Sequence, residues 1–510
     1  MKAVGIRFRT LPTILLTSRL LFSLLPSYAT ALSYSTQSSK SDGISEVSTC
    51  SHSYSYRTVQ VQVVHRHGDR TPITPLKNEE YWKNQLVPEE LLERVAAGTM
   101  VLRNGDTDNN NVKNQLEVHA AAGKGPFGKL TKLGLLGMIQ VGTSLREELE
   151  ESTNWSEVTN AAKAIATTMV SSSPSIGSEA NHNDDGYLDQ NRGLQQHGRI
   201  KLTPNDIKVY STDFDRTIQS VQGLLLGFFP DANDDETTIS IDCRDTTCWM
   251  IPDPQPRQTQ EQKVLEQALA RRPHILEKEA LLRPLAVRCT RALLPLLGDG
   301  AFGVSFGVDE SDDDNEDIQV LSWIQLTEIT KCLRTRDMLP DSITEDDQEA
   351  LSAHTAWKWF QSLRSPRLAH IAMRSFTQNI IRTMEQRDQE PPLIVYSGHD
   401  SSLIGLMCAL HLEQPSVWPE YGAVLKLELL EKRKEHNNDA LDGGEAPVNG
   451  NGSEKQHVDD NDDIEHVLRF FLNGQLLRST WNDIPRDEIS LKEFAHLAST
   501  VGNEATTNTT

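Results

Sequence analysis

Positive charge, cysteine and long apolar runs are all scarce in this 510-residue chain. Fifty basic residues stand against 72 acidic ones, for a formal net charge of −22. That balance disfavours a phosphodiester backbone, and so excludes nucleic acid as the default partner. The acidic surplus gathers in "VDESDDDNED" (308–317) and "HVDDNDDIE" (457–465). The first run lacks the glycine and the twelfth-position glutamate of a calcium loop, and both read as solvated loops. The six cysteines are Cys50, Cys243, Cys248, Cys289, Cys332 and Cys408. Six are too few for a disulfide scaffold, although the even count suits an oxidising compartment and Cys243 and Cys248 are spaced to close a small loop. No second close pair joins them as a zinc site would require. After the leader, no stretch approaches the ~20 apolar residues of a spanning helix. No internal repeat is visible.

The first 41 residues contain no Asp or Glu. They carry Lys2, Arg7, Arg9 and Arg19 with the apolar stretches "ILL" and "LLFSLL", and "ATA" at 29–31 has the form of a signal-peptidase site. A cleaved secretory signal is expected, and with it the secretory pathway. An organelle transit peptide, mitochondrial or plastid, is the alternative, because Arg19 splits the apolar core. Sequons at Asn154, Asn451 and Asn508 permit glycosylation of a secreted chain.

The rest, 37% hydrophobic and 24% charged, has ordinary globular composition. Residues 1–54 are a leader and Ser-rich linker, 55–480 the folded domain and 481–510 a tail. "TVQVQVVHR" (58–66) alternates Val with Gln at the period of a strand. "LTKLGLLGMIQVGTSLREEL" (130–149) has helical spacing, with Thr131 as N-cap. "IKVYS" (207–211) and "PLIVYSGHD" (392–400) read as strands, each followed by a helix. Residues 232–385 read as mostly helical and are taken as a cap inserted in the domain. "AVLKLELL" and "VLRFFLNGQLL" close the chain as strands, with Asn473-Gly474 as a two-residue hairpin turn. Residues 171–199, 303–317 and 436–463 are insertions without periodicity. The fold class is α/β, a central mixed sheet flanked by helices with a smaller helical cap.

Three predicted strands end in polar clusters: "HRHGDRTP" (65–72), "STDFDRT" (211–217) and "SGHD" (397–400). Open α/β sheets bind ligands at the carboxyl ends of their strands. If the three ends are neighbours, Arg66, Arg70 and Arg216 converge with His67, His399 and Asp400. Such a cluster of guanidiniums and imidazoles repels a divalent metal and suits an oxyanion, phosphate above all. The metal spelling His65-x-His67-x-Asp69 therefore ranks second, and no cofactor is required. A neutral imidazole attacks phosphorus and can form a covalent phosphohistidine. Arginines match the charge on the equatorial oxygens during in-line transfer. The departing alcohol needs a proton. Asp400 is the obvious acid, and with an ordinary pKa of about 3.9 it implies an acidic optimum.

"RHGDRTP", "STDFDRT" and "SGHD", in that order, resemble the histidine acid phosphatase family. "FGKLTKLGLLGMIQVGTSLRE" is similar to the helix after that family's first motif, and "WPEYGAVLKLELL" to the strand after its His-Asp turn. The resemblance runs from about residue 57 to 480 and is greatest to the lysophosphatidic, prostatic and lysosomal acid phosphatases. It implies that His67 is the phosphorylated nucleophile, that Arg66, Arg70, Arg216 and His399 bind phosphate, and that Asp400 donates the proton. It also implies the histidine phosphatase fold, no metal, and a small phosphate monoester as substrate, with lysophosphatidic acid suggested by resemblance alone. An inositol polyphosphate would call for a more basic pocket than this cap's composition offers.

The other polar residues have plainer readings. Asp69 shapes the loop, His65 packs, and Asp213 and Asp215 orient arginines through ion pairs. Trp249, Trp323, Trp357 and Trp359 pack the core or the cap rather than form a lipid-binding surface. Two other functions compete. A phosphotransferase or mutase would pass the phosphoryl group to a second substrate, yet such relatives place their acid soon after the first Arg-His pair, whereas Asp400 follows the second histidine. A non-catalytic phosphate-binding protein would turn nothing over.

Overall fold

A computed structural model describes residues 54–103, 123–151, 202–230, 238–244, 250, 260–301, 319–415, 418–434, 464–481 and 484–500. All lie in the compact unit Ser53–Thr510. The leader, the 171–199 loop, the 303–317 insertion, the 436–463 insertion, the three sequons, Cys50, Cys248 and Trp249 lie outside the described residues.

Among the described residues nine strands form one mixed sheet: β1 (Tyr54–Arg66), β2 (Thr99–Arg103), β3 (Ile207–Thr212), β4 (Ile239–Arg244), β5 (Leu393–Gly398), β6 (Val424–Lys434), β7 (Ile464–Leu472), β8 (Gln475–Leu477) and β9 (Ile489–Ser490). Their order is β2-β4-β3-β5-β1-β6-β7-β8, with β9 beside β7. The run from β2 to β1 is parallel, and from β1 to β8 it is antiparallel. The register brings the three motifs level. His65 lies opposite Ser397 and Arg66 opposite Gly398, while Ser211 pairs with the same Ser397 from the other side. The polar clusters therefore leave the sheet side by side, at the carboxyl ends of adjacent parallel strands.

Helices cover both faces. On one, α3 (Lys132–Glu151) and α4 (Asp215–Phe228) bury Leu145, Ile218, Val221 and Leu225 against Val61, Val63, Val209 and Val395. On the other, α9 (Pro366–Glu385) and α10 (Asp400–Ala409) bury Phe376, Ile380, Leu403 and Met407 with Tyr396, Leu425 and Leu427. Gln60 and Gln62, which alternate with Val along β1, are fully buried. Gln62 Nε2 donates to Ile380 O at 3.1 Å and to Thr383 Oγ1 at 2.8 Å, and Gln60 Nε2 donates to Thr383 O at 3.2 Å. These amides stitch the central strand to α9, and their burial is tolerated because they are paired. Asn473 and Gly474 both have positive φ, 50° and 79°, as a tight hairpin turn between antiparallel strands requires.

A separate apolar cluster forms the cap. It comprises Trp82 of α1 (Glu79–Lys83), Ala286, Cys289 and Leu293 of α6 (Pro273–Leu293), Leu326, Ile329 and Leu333 of α7 (Trp323–Arg334), and Leu351 of α8 (Glu345–Leu363). The stretch 232–385 is thus not all cap. β4 lies within it and joins the sheet, because Ile239, Ile241 and Cys243 alternate inward. α9 covers the sheet, because its apolar stripe meets Tyr396 and its backbone accepts from the buried glutamines of β1. The fold also continues past residue 480: Ser490 and Ile489 pair with β7, and Phe494 of α11 (Leu491–Thr500) is buried against Phe470.

Candidate active site

The loop after β1 is set by close backbone contact. A Cβ on Gly68 would lie 2.4 Å from Gly134 O, and one on Gly134 would lie 2.1 Å from Asp69 O. Both glycines are needed to press the "HGD" turn onto the start of α3. Thr131 caps that helix, accepting from Gly134 N–H at 3.1 Å and donating to Asp69 Oδ2 at 2.5 Å. His67 N–H donates to Gly398 O at 3.0 Å, and Gly68 N–H to Ser220 Oγ on α4 at 3.0 Å. First motif, arginine helix and His-Asp strand are therefore tied together by backbone bonds.

His67 is buried, and its Nδ1 lies 2.8 Å from Gly68 O. A carbonyl only accepts, so Nδ1 carries the proton and Nε2 keeps its lone pair. Burial, then the charges of Arg216, Arg66, His399 and Arg70, hold the imidazole pKa well below its usual value. The ring is therefore neutral and basic at Nε2 well into acid. His399 meets it edge-on at 5.5 Å between centroids, and its Nε2 lies 3.1 Å from Thr212 Oγ1. Burial and Arg216 likewise push the His399 imidazole far down.

Around the two rings stand the three arginines, all buried. Arg66 pairs with Asp400 at 2.7 Å, donates to Pro419 O at 2.5 Å and lies 4.1 Å from the Tyr421 ring centroid. Arg70 pairs with Glu328 of α7 at 2.7 Å. Arg216 lies 4.6 Å from the Phe214 ring centroid, and burial followed by the Arg70 charge lowers its pKa to about 9. It stays cationic in neutral and acid solution, and the depression records the mutual repulsion an anion would relieve. Asp400 begins α10, accepting from Ser401 N–H at 2.8 Å through Oδ1 and from Trp418 Nε1–H at 2.8 Å through Oδ2. Burial pushes its pKa up, but Arg66 and the Trp418 hydrogen bond win, leaving it at about 2.

The structure thus gathers all six predicted residues, Arg66, His67, Arg70, Arg216, His399 and Asp400, at one end of the sheet. The other readings divide. His65 packs, its Nδ1 taken by Arg66 O at 3.1 Å. Asp69 is held by Thr131 and by Arg336, at 2.6 Å. The donors of the His65-x-His67-x-Asp69 spelling thus serve separate partners, and no group of three His, Cys, Asp or Glu suited to a metal occurs among the described residues. Asp213 pairs with Arg103 at 3.0 Å rather than with a site arginine, because its exposed side chain turns toward β2. Cys243 is a buried free thiol.

Sequence reasoning missed the cap's contribution. Glu328, Lys331, Cys332 and Arg336 recur at helical spacing along α7 and just past its end, and that face meets the loop after β1 and the site around it. Glu328 accepts from Arg70 and from the N–H groups of Ile73 and Thr74, at 3.0 and 2.9 Å. Cys332 Sγ meets Arg70 O at 3.4 Å. Trp418 and Tyr421, inside the quoted "WPEYGAV" segment, also had no assigned role. In "EITKCLRTR" these residues are separated by helical spacing, and the run itself carries no sign of what they face.

A model of the histidine phosphatase superfamily (branch 2) matches residues 59–270. Among curated proteins, Counting factor 60 of Dictyostelium discoideum is 27% identical over 124 residues, spanning 22% of this chain and 28% of that protein. Among solved structures, the phytase of Hafnia alvei aligns over 88% of this chain and 98% of its own, with 12% identity and a TM-score of 0.48. The phytase of Citrobacter braakii aligns over 87% and 98%, with 14% identity and a TM-score of 0.46. The multiple inositol polyphosphate phosphatase of Bifidobacterium longum aligns over 94% and 96%, with 10% identity and a TM-score of 0.45. No described helix is long and apolar enough to cross a membrane. The matched span holds Arg66, His67, Arg70 and Arg216, with His399 and Asp400 beyond it in the same cluster, and over that span the chain is similar to branch 2 of the histidine phosphatase superfamily.

Proposed function

We propose that the protein hydrolyses phosphate monoesters through a covalent phosphohistidine on His67. The observation that carries this reading is the bare Nε2 of a neutral, buried His67 amid three buried arginines. Nε2 attacks phosphorus in line. Arg66, Arg70, Arg216 and His399 hold the equatorial oxygens. The P–O ester bond breaks, and Asp400 gives its proton to the leaving oxygen. Water then attacks the P–N bond, Asp400 takes back a proton, and inorganic phosphate departs.

Asp400, held near 2, is ionised in the free protein at ordinary pH. It can serve as the acid only once substrate binds. A bound phosphate draws on Arg66 and sets negative charge beside the carboxylate, and both effects raise its pKa. A monoanionic ester brings the proton with it, since the second ionisation of a phosphate monoester lies near pH ~6. The acidic optimum expected from residue type thus acquires another cause. The upper limb follows the substrate's proton, and the lower limb follows protonation of His67. Transfer to a second substrate is the alternative, and it is disfavoured because the acid candidate follows the second histidine.

The test is p-nitrophenyl phosphate turnover from pH 3 to 9, with and without chelator, for the wild type and His67→Ala. Chelator-resistant turnover, highest below pH ~6 and lost in the variant, is expected. Activity that survives His67→Ala, or that dies with chelator, overturns the reading. Lysophosphatidic acid, the narrower substrate that the resemblance suggests, belongs in the same assay.

A further inference from the structure

One charge at the site has no part in this scheme. Lys331 of α7 sets its ammonium 5.3 Å from the centroid of the Tyr421 ring. The same ring carries Arg66 at 4.1 Å and lies 5.8 Å from the His67 ring. Lys331 is therefore one aromatic ring away from both the phosphate cradle and the nucleophile. Its ion-pair partner is Glu420, at 2.7 Å, and the two differ sharply in exposure: the lysine side chain is 13% exposed and the glutamate 65%. A pair that only decorated the surface would leave both groups in water. Here the cation is the interior member and the carboxylate the outer one. Burial and repulsion from Arg66 lower the lysine pKa to about 8, so it is charged across the acid range.

Its position assigns it to one side of the reaction. Lys331 shares the Tyr421 ring with Arg66, and Arg66 pairs with Asp400 at 2.7 Å, which sets the lysine on the Asp400 flank. In the mechanism above, Asp400 marks the side from which the ester oxygen leaves. The three arginines already match the phosphoryl oxygens. A fourth cation on the Asp400 flank therefore faces the leaving group. Lysine offers a compact charge with freely turning donors, suited to an anion whose orientation varies.

We propose that Lys331 is a specificity-determining residue, selecting phosphate monoesters whose leaving group carries a second anion such as a carboxylate. Glu420 holds the ammonium in place until the substrate's own anion displaces it, which costs little because the glutamate is already mostly hydrated. The inference rests on the phosphomonoesterase reading and deepens it.

The experiment compares 3-phosphoglycerate with glycerol 1-phosphate, which differ in a terminal carboxylate against a hydroxymethyl group. The readout is the ratio of their kcat/KM values, which does not depend on the fraction of enzyme folded. Wild type favours 3-phosphoglycerate. Lys331→Met lowers that ratio by about tenfold, mainly through KM, as loss of one charge-assisted hydrogen bond predicts. Glu420→Gln keeps the lysine, removes its competitor and raises the ratio. A ratio unmoved by both variants, or a wild type that favours glycerol 1-phosphate, overturns the proposal while leaving the hydrolase reading intact. Failure of the wild type to hydrolyse either ester or p-nitrophenyl phosphate overturns the hydrolase reading itself, and this proposal with it.

Discussion

The strand ends and the cap helix build the same site by different means. Arg66, His67, Arg70, His399 and Asp400 stand in short contiguous motifs, because each strand must stop, turn and start a helix within a few residues. Gly68 and the N-terminal position of Asp400 on α10 are part of that backbone geometry. On α7, Glu328, Lys331 and Arg336 are spaced by a helix, so the sequence scatters what the fold gathers. The two regions also differ in task. In the proposed reaction the strand ends present groups to the substrate, whereas Glu328 and Arg336 of the cap hold the loop, through Arg70 and Asp69. Substitutions on the strand ends should cost chemistry, and those on α7 should cost positioning and stability.

The largest effect is expected at Asp400. Asp400→Asn keeps an acceptor for Trp418 Nε1–H but cannot donate a proton to the leaving oxygen. For an alkyl phosphate, kcat should fall about 10²–10⁴-fold, the usual worth of a positioned general acid. For p-nitrophenyl phosphate, whose leaving group needs little help, the phosphorylation step should fall far less. Single-turnover kinetics on both substrates check this, and an equal loss on each would assign Asp400 to binding alone.

Glu328→Gln should act differently. It removes the only carboxylate paired with Arg70 among the described residues, and both side chains are buried, 9% and 6% exposed. Breaking such a pair costs about 3 kcal/mol of stability. KM should rise about tenfold with kcat nearly kept, because Arg70 remains but is no longer held. Inorganic phosphate should recover much of the stability by pairing with Arg70. Thermal melts with and without phosphate, beside steady-state kinetics, test the claim. A loss confined to kcat would erase the distinction between the two regions.

The smallest effect is distributed. Burial holds His65 and His354 at about 4, and holds His67 and His399 well below their usual values. Each folded-state pKa lies below the unfolded value of about 6.5, so the unfolded chain binds protons first as pH falls. The stabilisation is complete above pH ~6.5 and is lost progressively toward the folded values. Tm should therefore decline from pH 7 to pH 4, and less steeply in the presence of phosphate. A Tm that rises over that range would contradict the neutral, buried imidazoles.

How much was legible follows from the same contrast. The β1 alternation, the Thr131 cap and the Asn473-Gly474 turn are local signals, and the structure keeps each of them. The six site residues were legible because motif order and strand ends imply one another. β4 was hidden because "ISIDC" is short and lies between insertions. The burial of Gln60 and Gln62 was not legible, because periodicity reports alternation and not what covers each face. Asp213 was assigned to arginine orientation by nearness in sequence, yet its partner Arg103 lies on β2, more than a hundred residues away. Lys331 had no local signature, since its meaning depends on Tyr421 and Arg66 arriving from other parts of the chain.

The central claim is the covalent intermediate on His67. Asp400→Asn mixed with p-nitrophenyl phosphate should phosphorylate readily and lose the phosphoryl group slowly, because Asp400 also serves the second step as base. Quenching that mixture in alkali and mapping the phosphoryl group by mass spectrometry tests the claim directly. The account predicts close to one phosphoryl group per chain on His67, stable in alkali and lost in acid. Continued turnover with no modification of His67, or with the phosphoryl group on another residue, would contradict it.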